Sequence, residues 1–266
     1  MATSLVAGEA RRRPVVVNWR PPGDTWRTSA LSLGLFLLLW ETVARVSGAL
    51  FLPPFSTVLR ALWTLAGTGQ IFGNLGLSLV SLILGFALAV GIGLMVGMMM
   101  GRYPLVRALI DPYLWILIAC PGLLYVPILF TVFGASRLTQ VAAVFVHAVF
   151  VIVATTETGI RRASPALTEM AKAFGATERD LFWKVRLPEA RPFILSGLRV
   201  GVLYAVKGMV NGEMFLALVG LGALVRTYGG RFEAANMLAI LLVIVTVALV
   251  SAAAVEAVAR RLDPAP

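Results

Sequence analysis

Long apolar runs separated by short charged segments dominate the pattern along the chain. The run from 61 to 101 contains no charged residue, and other uncharged runs cover 112–136, 138–156 and 234–255. Because a helix of about 20 mostly apolar residues crosses a bilayer, these runs predict membrane spans. Two further spans carry a few charges inside them. The pattern therefore predicts an all-α membrane protein with six transmembrane helices, near residues 28–50, 74–100, 107–133, 138–160, 193–218 and 234–257.

Composition supports this interpretation and excludes other protein classes. Of the 266 residues, 59% are hydrophobic and 14% are charged, whereas soluble domains have about a quarter charged. These values exclude an ordinary cytosolic enzyme, a disordered chain and a secreted disulfide scaffold. The one cysteine, Cys120, has no partner for an internal disulfide and lies in an apolar run, so we expect a buried, inert thiol. With one cysteine and one histidine, we expect no metal site and no cofactor.

The distribution of positive charge predicts an orientation. The net charge is +10, and with six spans sixteen of the 23 basic residues fall on one side of the membrane and five on the other. The more basic side is expected to be cytoplasmic. We therefore predict cytoplasmic tails at 1–27 and 261–266, a transmembrane domain at 28–260, and a multi-pass protein of a bacterial-type inner membrane. These charges flank spans instead of forming one basic groove, so nucleic acid is not an expected partner.

The longest predicted cytoplasmic segment, residues 161–192, contains signals for two short helices. Ser164 followed by Pro165 favours a helix start, and Gly175 favours its end. Thr177 with Asp180 three residues later predicts a capping box for a second helix, which we expect to end at Leu187-Pro188. This second helix carries adjacent Phe182 and Trp183. The two rings are predicted either to pack on the membrane interface or to fill a pocket on a cytoplasmic partner.

The same segment resembles the EAA loop of ABC importer permeases. Glu169, Ala171 and Gly175 give the pattern E-x-A-x-x-x-G, and Leu187-Pro188 follows at the family's spacing. Further stretches resemble the nitrate/sulfonate/taurine branch of these permeases, which extends the resemblance over residues 50–260: LPPFSTVLRAL, SLVSLILGF, LIDPYL, VPILFTVFG and SGLRVGV. Met170 departs from the loop pattern, and Ser81 replaces the family's usual arginine, which weakens any transfer of substrate from the sulfonate members.

The resemblance implies a transport subunit of the type I importer fold, without catalytic residues of its own. By this resemblance, two copies of the permease would form a homodimer and, between them, the pathway through the lipid bilayer. Cytoplasmic ATP-binding-cassette ATPase subunits would bind the loop, and an extracytoplasmic solute-binding protein would deliver the solute. The ATPase-coupling residues would then be Glu169, Ala171, Gly175, Asp180, Phe182, Trp183, Leu187 and Pro188. Glu169 is expected to orient the loop through a salt bridge or a cap contact.

Polar side chains inside the spans indicate a substrate pathway, because such groups are costly in a membrane. In the fifth span Tyr204, Lys207 and Asn211 share one helical face, whereas Glu213 lies on another side. Lys207 is predicted either to attract an anion or to pair with a carboxylate such as Glu213. His147 is predicted either to line the cavity or to be a hydrogen-bonded histidine within the bundle. These five residues form the predicted pathway set.

Two sequence features predict how the spans pack and bend. Gly93, Gly97 and Gly101 recur every four residues, and such a ridge lets helices approach closely. In the third span Pro121 and Pro127 are expected to bend the helix and to place it beside the pathway.

Three function classes remain open from the sequence. The first is an ABC importer permease that carries a small organic anion, such as a sulfonate, taurine or nitrate, or alternatively a heteroaromatic solute such as a thiamine precursor. The second is an ion-coupled secondary transporter, and the third is an intramembrane enzyme. The chain contains no G-x-x-x-x-G-K-S/T phosphate-binding loop. An ATP-driven function would therefore need a separate ATPase subunit, and the aromatic loop favours the first class.

Overall fold

The computed structural model describes residues 25–48, 51–216 and 219–262. Most of the two predicted cytoplasmic tails, 1–27 and 261–266, lies outside these ranges. Within them every regular element is helical: α1 Thr25–Ser47, α2 Phe55–Gly67, α3 Gln70–Arg102, α4 Pro104–Ala119, α5 Tyr125–Phe133, α6 Arg137–Arg161, α7 Pro165–Ala173, α8 Glu178–Asp180, α9 Leu187–Leu216, α10 Leu221–Gly230 and α11 Ala234–Leu262.

The predicted number of spans agrees with the structure. Among the described residues, five helices are long and apolar enough to cross a membrane, and a bent pair of helices counts as a sixth span. This confirms the prediction of an all-α membrane protein, with five spans, or six when the bent pair is taken as one span. The second span is longer than predicted, because α3 runs without interruption from Gln70 to Arg102.

The third predicted span, 107–133, is not one helix. α4 ends at Ala119, a short 3₁₀ turn covers Gly122–Leu124, and α5 continues at an angle of 98°. Pro121 lies in this break and has no N–H to donate to the carbonyl of Leu117, four residues earlier. The hydroxyl of Tyr125 donates to that carbonyl instead. We call this break the α4–α5 elbow, and the predicted bend at Pro121 is confirmed there, whereas Pro127 lies inside α5.

α6 is the central helix, and glycines on two neighbours pack against it. On the α3 side, a methyl group added at Gly93, Gly97 or Gly101 would lie 2.6–2.8 Å from side-chain atoms of α6. The predicted glycine ridge of α3 is therefore a packing surface. A second row of glycines, on α9, also packs against α6, and it was not predicted from the sequence. An added methyl group at Gly208, for example, would lie 2.6 Å from the carbonyl oxygen of Ala143.

The loop between α6 and α9 departs from the prediction at Leu187-Pro188. These residues do not end a helix. α8 passes through a π-helical segment, Leu181–Arg186, directly into α9. At its end the N–H of Leu187 bonds the carbonyl of Phe182, five residues earlier. Since Pro188 follows a widened turn and opens α9, its missing N–H is tolerated much as it is at a helix start. The loop is therefore rigidly continuous with the fifth span.

Candidate functional site

The first loop helix, α7, has the caps that its sequence predicts. Ser164 is its N-cap, and the Ser164 hydroxyl accepts a hydrogen bond from the N–H of Leu167 at 3.4 Å. Pro165 occupies the first helical position. Gly175 follows the helix with φ of +81°, a left-handed conformation that a side chain would strain. Ala171 lies inside α7. The predicted start and end of α7 are confirmed.

The second loop helix begins with the predicted capping box. The Thr177 side chain accepts from the N–H of Asp180, and the Asp180 carboxylate accepts from the N–H of Thr177 at 3.3 Å. Lys184 Nζ lies 2.7 Å from the same carboxylate. Hydrogen bonding from Lys184, then from Thr177, lowers the pKa of Asp180 to about 2. The carboxylate is therefore charged at neutral pH, and the α8 start is held firmly.

Phe182 corrects an expectation of the sequence analysis. Its side chain is only 4% exposed and packs with Ile160 and Ala190. The guanidinium carbon of Arg102 lies 4.9 Å from the ring centroid, an arrangement typical of cation–π attraction. Phe182 is therefore an internal anchor that attaches the loop to α3, α6 and α9, and it is not open to a pocket on a partner. Of the two adjacent rings predicted from sequence to fill a partner's pocket, only that of Trp183 is exposed enough to do so.

An exposed apolar patch does lie on the loop. Trp183 is 53% exposed and stands edge-on to Phe182, with ring centroids 5.4 Å apart. Phe174, at the end of α7, is 86% exposed, and Met170 and Leu167 are also exposed. We call these four residues the loop patch. Only Trp183 of the four was predicted from the sequence, although the apolar character of the other three on and just after α7 was available as a signal.

The contact that holds the two halves of the loop together comes from Glu189. The carboxylate of Glu189, in the first turn of α9, accepts a hydrogen bond from the N–H of Ser164 at 2.5 Å. Glu169 was expected to orient the loop, but its side chain is exposed and forms no ion pair within the described part of the chain. It lines a surface cleft together with Lys172 and Arg186. The expected orienting contact is thus made by another glutamate.

Four of the five predicted pathway residues lie together. His147, Tyr204, Lys207 and Asn211 line one cavity of about 200 Å³ beside the α4–α5 elbow. The amide Nδ2 of Asn211 lies 3.3 Å from Nε2 of His147. Nζ of Lys207 stands 4.7 Å from the centroid of the Tyr204 ring. Among the described residues, the cavity is lined by one cationic side chain and by no carboxylate.

Glu213 does not join this group. Its side chain is 1% exposed, and its carboxylate accepts from the N–H of Gly222 at 2.9 Å. The N–H of Leu221 donates to Ser78 at 2.9 Å, and that of Gly220 donates to Asn74 at 2.8 Å. Three side chains thus cap the N-terminus of α10. Glu213 is a structural group that joins α9 to α10, and Lys207 does not pair with it.

The cavity also contains residues that the sequence analysis did not assign to it. Cys120, expected to be buried, is partly exposed and lines the cavity with Gly122 and Tyr125. A methyl group at Gly122 would lie 2.5 Å from Nε2 of His147, so glycine permits this close approach. No periodicity in the sequence could indicate these contacts, because they depend on the angle of the elbow.

Known proteins are similar to this chain in sequence. Residues 89–265 match the family described as binding-protein-dependent transport system inner membrane component. The taurine transport system permease protein of Escherichia coli K12 is 32% identical over 93% of this chain and 93% of its own length. A Bacillus subtilis 168 protein named as an aliphatic sulfonates transport permease is 29% identical over 75% of this chain and 73% of its own length.

The fold has a solved counterpart. A chain from a crystal structure titled as an amino acid ABC transporter with histidines superposes with a TM-score of 0.62 at 17% identity. The match covers 75% of this chain and 97% of that chain, and at this identity it supports the fold alone. On the sequence match, the chain belongs to the family of binding-protein-dependent transport system inner membrane components and is a permease subunit of an ABC importer.

Proposed function

We propose that this permease imports a small organic anion, driven by cytoplasmic ATP-binding-cassette subunits that dock on the loop between α6 and α9. Closure of the ATPases on ATP would push on the loop patch. The loop would transmit that push to the fifth span through its continuous helix. The observation that carries the proposal is the combination of an exposed apolar patch with an internal anchor, Phe182, on one short segment.

The geometry of the loop supports a mechanical role. A partner can grip Trp183 and Phe174, because both rings project from the chain and large aromatic side chains dominate binding at protein interfaces. A force on these rings would not separate the loop from the bundle. Phe182 is packed into the bundle, and Glu189 bonds α7 to the start of α9. Glu169 would face the ATPase as an exposed carboxylate, while Leu187 and Pro188 would form the rigid joint.

Membership of this family supports an assembly of several subunits. A permease needs a closed pathway, and a single bundle leaves Tyr204 and Lys207 exposed along α9. We infer that a second copy of this chain covers that face, with a solute-binding protein on the outer side. The side with more basic residues, which includes the loop, would be cytoplasmic, so both termini would be cytoplasmic as well.

The cargo class is inferred from relatives and from charge. Two relatives are named for the transport of taurine and of aliphatic sulfonates, solutes that share a negatively charged sulfonate group, and Lys207 is the cation among the described residues that line the cavity. Taurine, another sulfonate or nitrate is therefore the proposed cargo. A heteroaromatic solute such as a thiamine precursor is the second candidate. It is favoured by the rings of Tyr204, Tyr125 and Phe150 around the cavity, and by a Halalkalibacterium halodurans relative, 27% identical, that is named as a formylaminopyrimidine transport permease.

Co-purification with the ATPase tests the docking role. Phe174→Ala combined with Trp183→Ala should lower recovery of the ATPase at least several-fold, while the permease stays in the membrane. Gly175→Asp should act in the same direction, because its left-handed backbone strains any side chain. The matched control is Trp63→Ala on α2, which removes an equally large ring that is 83% exposed. Unchanged recovery with both loop variants would contradict the docking assignment.

A further inference from the structure

The cavity beside the α4–α5 elbow is lined by three separate parts of the chain. The elbow supplies Cys120, Gly122 and Tyr125, α6 supplies His147 and Phe150, and α9 supplies Tyr204, Lys207 and Asn211. Three segments that are distant in sequence therefore converge on one volume of about 200 Å³. This volume suits a solute of a few non-hydrogen atoms, below the size range of drug-sized pockets.

Lys207 gives the cavity its charge preference. It lies about two-thirds along α9, inside the membrane-spanning part. No carboxylate of the described chain lies within ion-pairing distance of its ammonium group, and its nearest electrostatic partner is the ring of Tyr204. A cation in a span is costly unless water, an anion or an aromatic face compensates it. The face of the Tyr204 ring compensates this cation only in part, because the ring carries no net negative charge. The positive charge that remains at the wall of the cavity favours an anionic occupant.

His147 and Asn211 form the neutral polar wall. Nδ1 of His147 lies 2.7 Å from the carbonyl oxygen of Ala143. A carbonyl can only accept, so Nδ1 carries the proton, and Nε2 of the neutral ring accepts from Nδ2 of Asn211. Gly122 and Gly208 hold the ring from both sides, because a methyl group at either would lie within 3.0 Å of it. The histidine therefore orients the amide of Asn211 by accepting from one N–H of Nδ2, and the second N–H of Nδ2 remains available to donate.

We propose that this cavity is an intramembrane binding site for the anionic head of the transported solute, an oxyanion such as a sulfonate. Lys207 binds the charge, the rings of Tyr204 and Phe150 contact the hydrocarbon part, and Asn211 supplies a hydrogen bond. His147 is a positioning residue that acts through Asn211. The proposal rests on the proposed import of organic anions and adds that the permease itself selects by charge, independently of the binding protein.

Cys120 is a natural reporter of the cavity, because it is the one cysteine of the chain and lines this volume. The permease–ATPase complex would be placed in lipid nanodiscs without nucleotide and treated with two methanethiosulfonates, one bearing sulfonatoethyl and one bearing trimethylammonioethyl. The Cys120 thiolate attacks the sulfenyl sulfur, a mixed disulfide forms and methanesulfinate leaves. The labelling rate of each reagent is divided by its rate with a free thiol in solution, which corrects for the different intrinsic reactivities of the two reagents. The Cys120→Ser variant measures the background labelling of cysteines on the ATPase.

The anionic reagent should be favoured by about tenfold after this correction, since a fixed charge in a low-dielectric cleft concentrates counter-ions. Lys207→Met should remove the preference, Lys207→Arg should keep it, and Arg260→Met, which removes an exposed cation at the end of α11, should leave it unchanged.

Excess taurine should slow the labelling of Cys120 by the anionic reagent in the wild type. His147→Leu should weaken this protection while keeping the charge preference, and His147→Gln, which can still accept from Asn211, should retain protection.

Equal corrected rates in the wild type, a preference that survives Lys207→Met, or no reaction with either reagent would each overturn the proposal. Its failure is distinguishable from failure of the proposed function. If loop-patch variants lose the ATPase but labelling of Cys120 in the wild type shows no charge preference, the docking assignment stands and the intramembrane site is wrong. If labelling shows the charge preference but the ATPase binds loop-patch variants normally, the intramembrane site stands and the docking assignment is wrong.

Discussion

The carboxylate of Glu189 accepts a hydrogen bond from the backbone N–H of Ser164, 25 residues earlier in the chain. This bond joins the start of α7 to the start of α9. The two ends of the loop are therefore held together. Because the bond lies between the loop patch and the fifth span, it is well placed to keep the two moving together.

Removal of this bond should weaken coupling more than it weakens the fold. Glu189→Ala leaves the Ser164 N–H without its acceptor and should cost about 1 kcal/mol locally. We expect solute uptake per ATP hydrolysed to fall several-fold in proteoliposomes. Glu189→Gln keeps an acceptor oxygen and is the matched control. An unchanged ratio of uptake to hydrolysis in Glu189→Ala would show that the closed loop is not required.

The elbow should depend on Tyr125. Tyr125→Phe removes the hydroxyl that donates to the Leu117 carbonyl. That carbonyl is partly buried, so the loss of its hydrogen bond should cost about 1 kcal/mol. For a chain of this size, that corresponds to a fall in Tm of roughly 2–4 °C per kcal/mol, measured on the purified permease. Tyr113→Phe is the control, since Tyr113 lies on α4 and is 68% exposed. Equal Tm values for the two variants would contradict this role.

The buried carboxylate of Glu213 should act as a cap for α10. Glu213→Ala removes the acceptor of the Gly222 N–H and should lower hydrogen-exchange protection at residues 220–222 at least tenfold. Glu213→Gln keeps an acceptor oxygen and should retain most of the protection. If both variants behave like the wild type, the N-terminus of α10 is held by Asn74 and Ser78 alone.

The two kinds of glycine in α3 should respond in opposite ways to alanine. At Gly97 the new methyl group would lie 2.6 Å from Cβ of Thr156 on α6, so Gly97→Ala should destabilise the bundle by about 1–3 kcal/mol. At Gly91 nothing lies within 4 Å, so Gly91→Ala should be neutral or stabilise by up to about 1 kcal/mol through helix propensity. Thermal unfolding of the two purified variants compares them, and equal effects would contradict the packing interpretation.

Local signals in the sequence were sufficient for the spans, the caps of the loop helices and the position of the elbow. Each depends on neighbouring residues: apolar run length, Ser164 before Pro165, Thr177 before Asp180, and the missing N–H of Pro121. The sequence also predicted that Tyr204, Lys207 and Asn211 share a face, because helical spacing alone determines this.

The remaining features depend on tertiary packing that no local pattern encodes. Phe182 and Trp183 are adjacent and equally apolar, and only the arrangement of α3, α6 and α9 decides that the first is buried and the second exposed. Glu213 was grouped with the pathway because it is polar within a span. Its function as a cap becomes visible only when the N-terminus of α10 lies against α9.

Cross-linking from the loop patch tests the central claim most directly. A photo-reactive amino acid at position 174, which is 86% exposed in the wild type, would be activated in inside-out membrane vesicles that contain the ATPase. We predict one dominant cross-link to the ATPase, reduced by Trp183→Ala and absent when the photo-reactive group is placed at position 63 instead. A cross-link to the outer solute-binding protein, or none to the ATPase while uptake remains ATP-driven, would contradict the account.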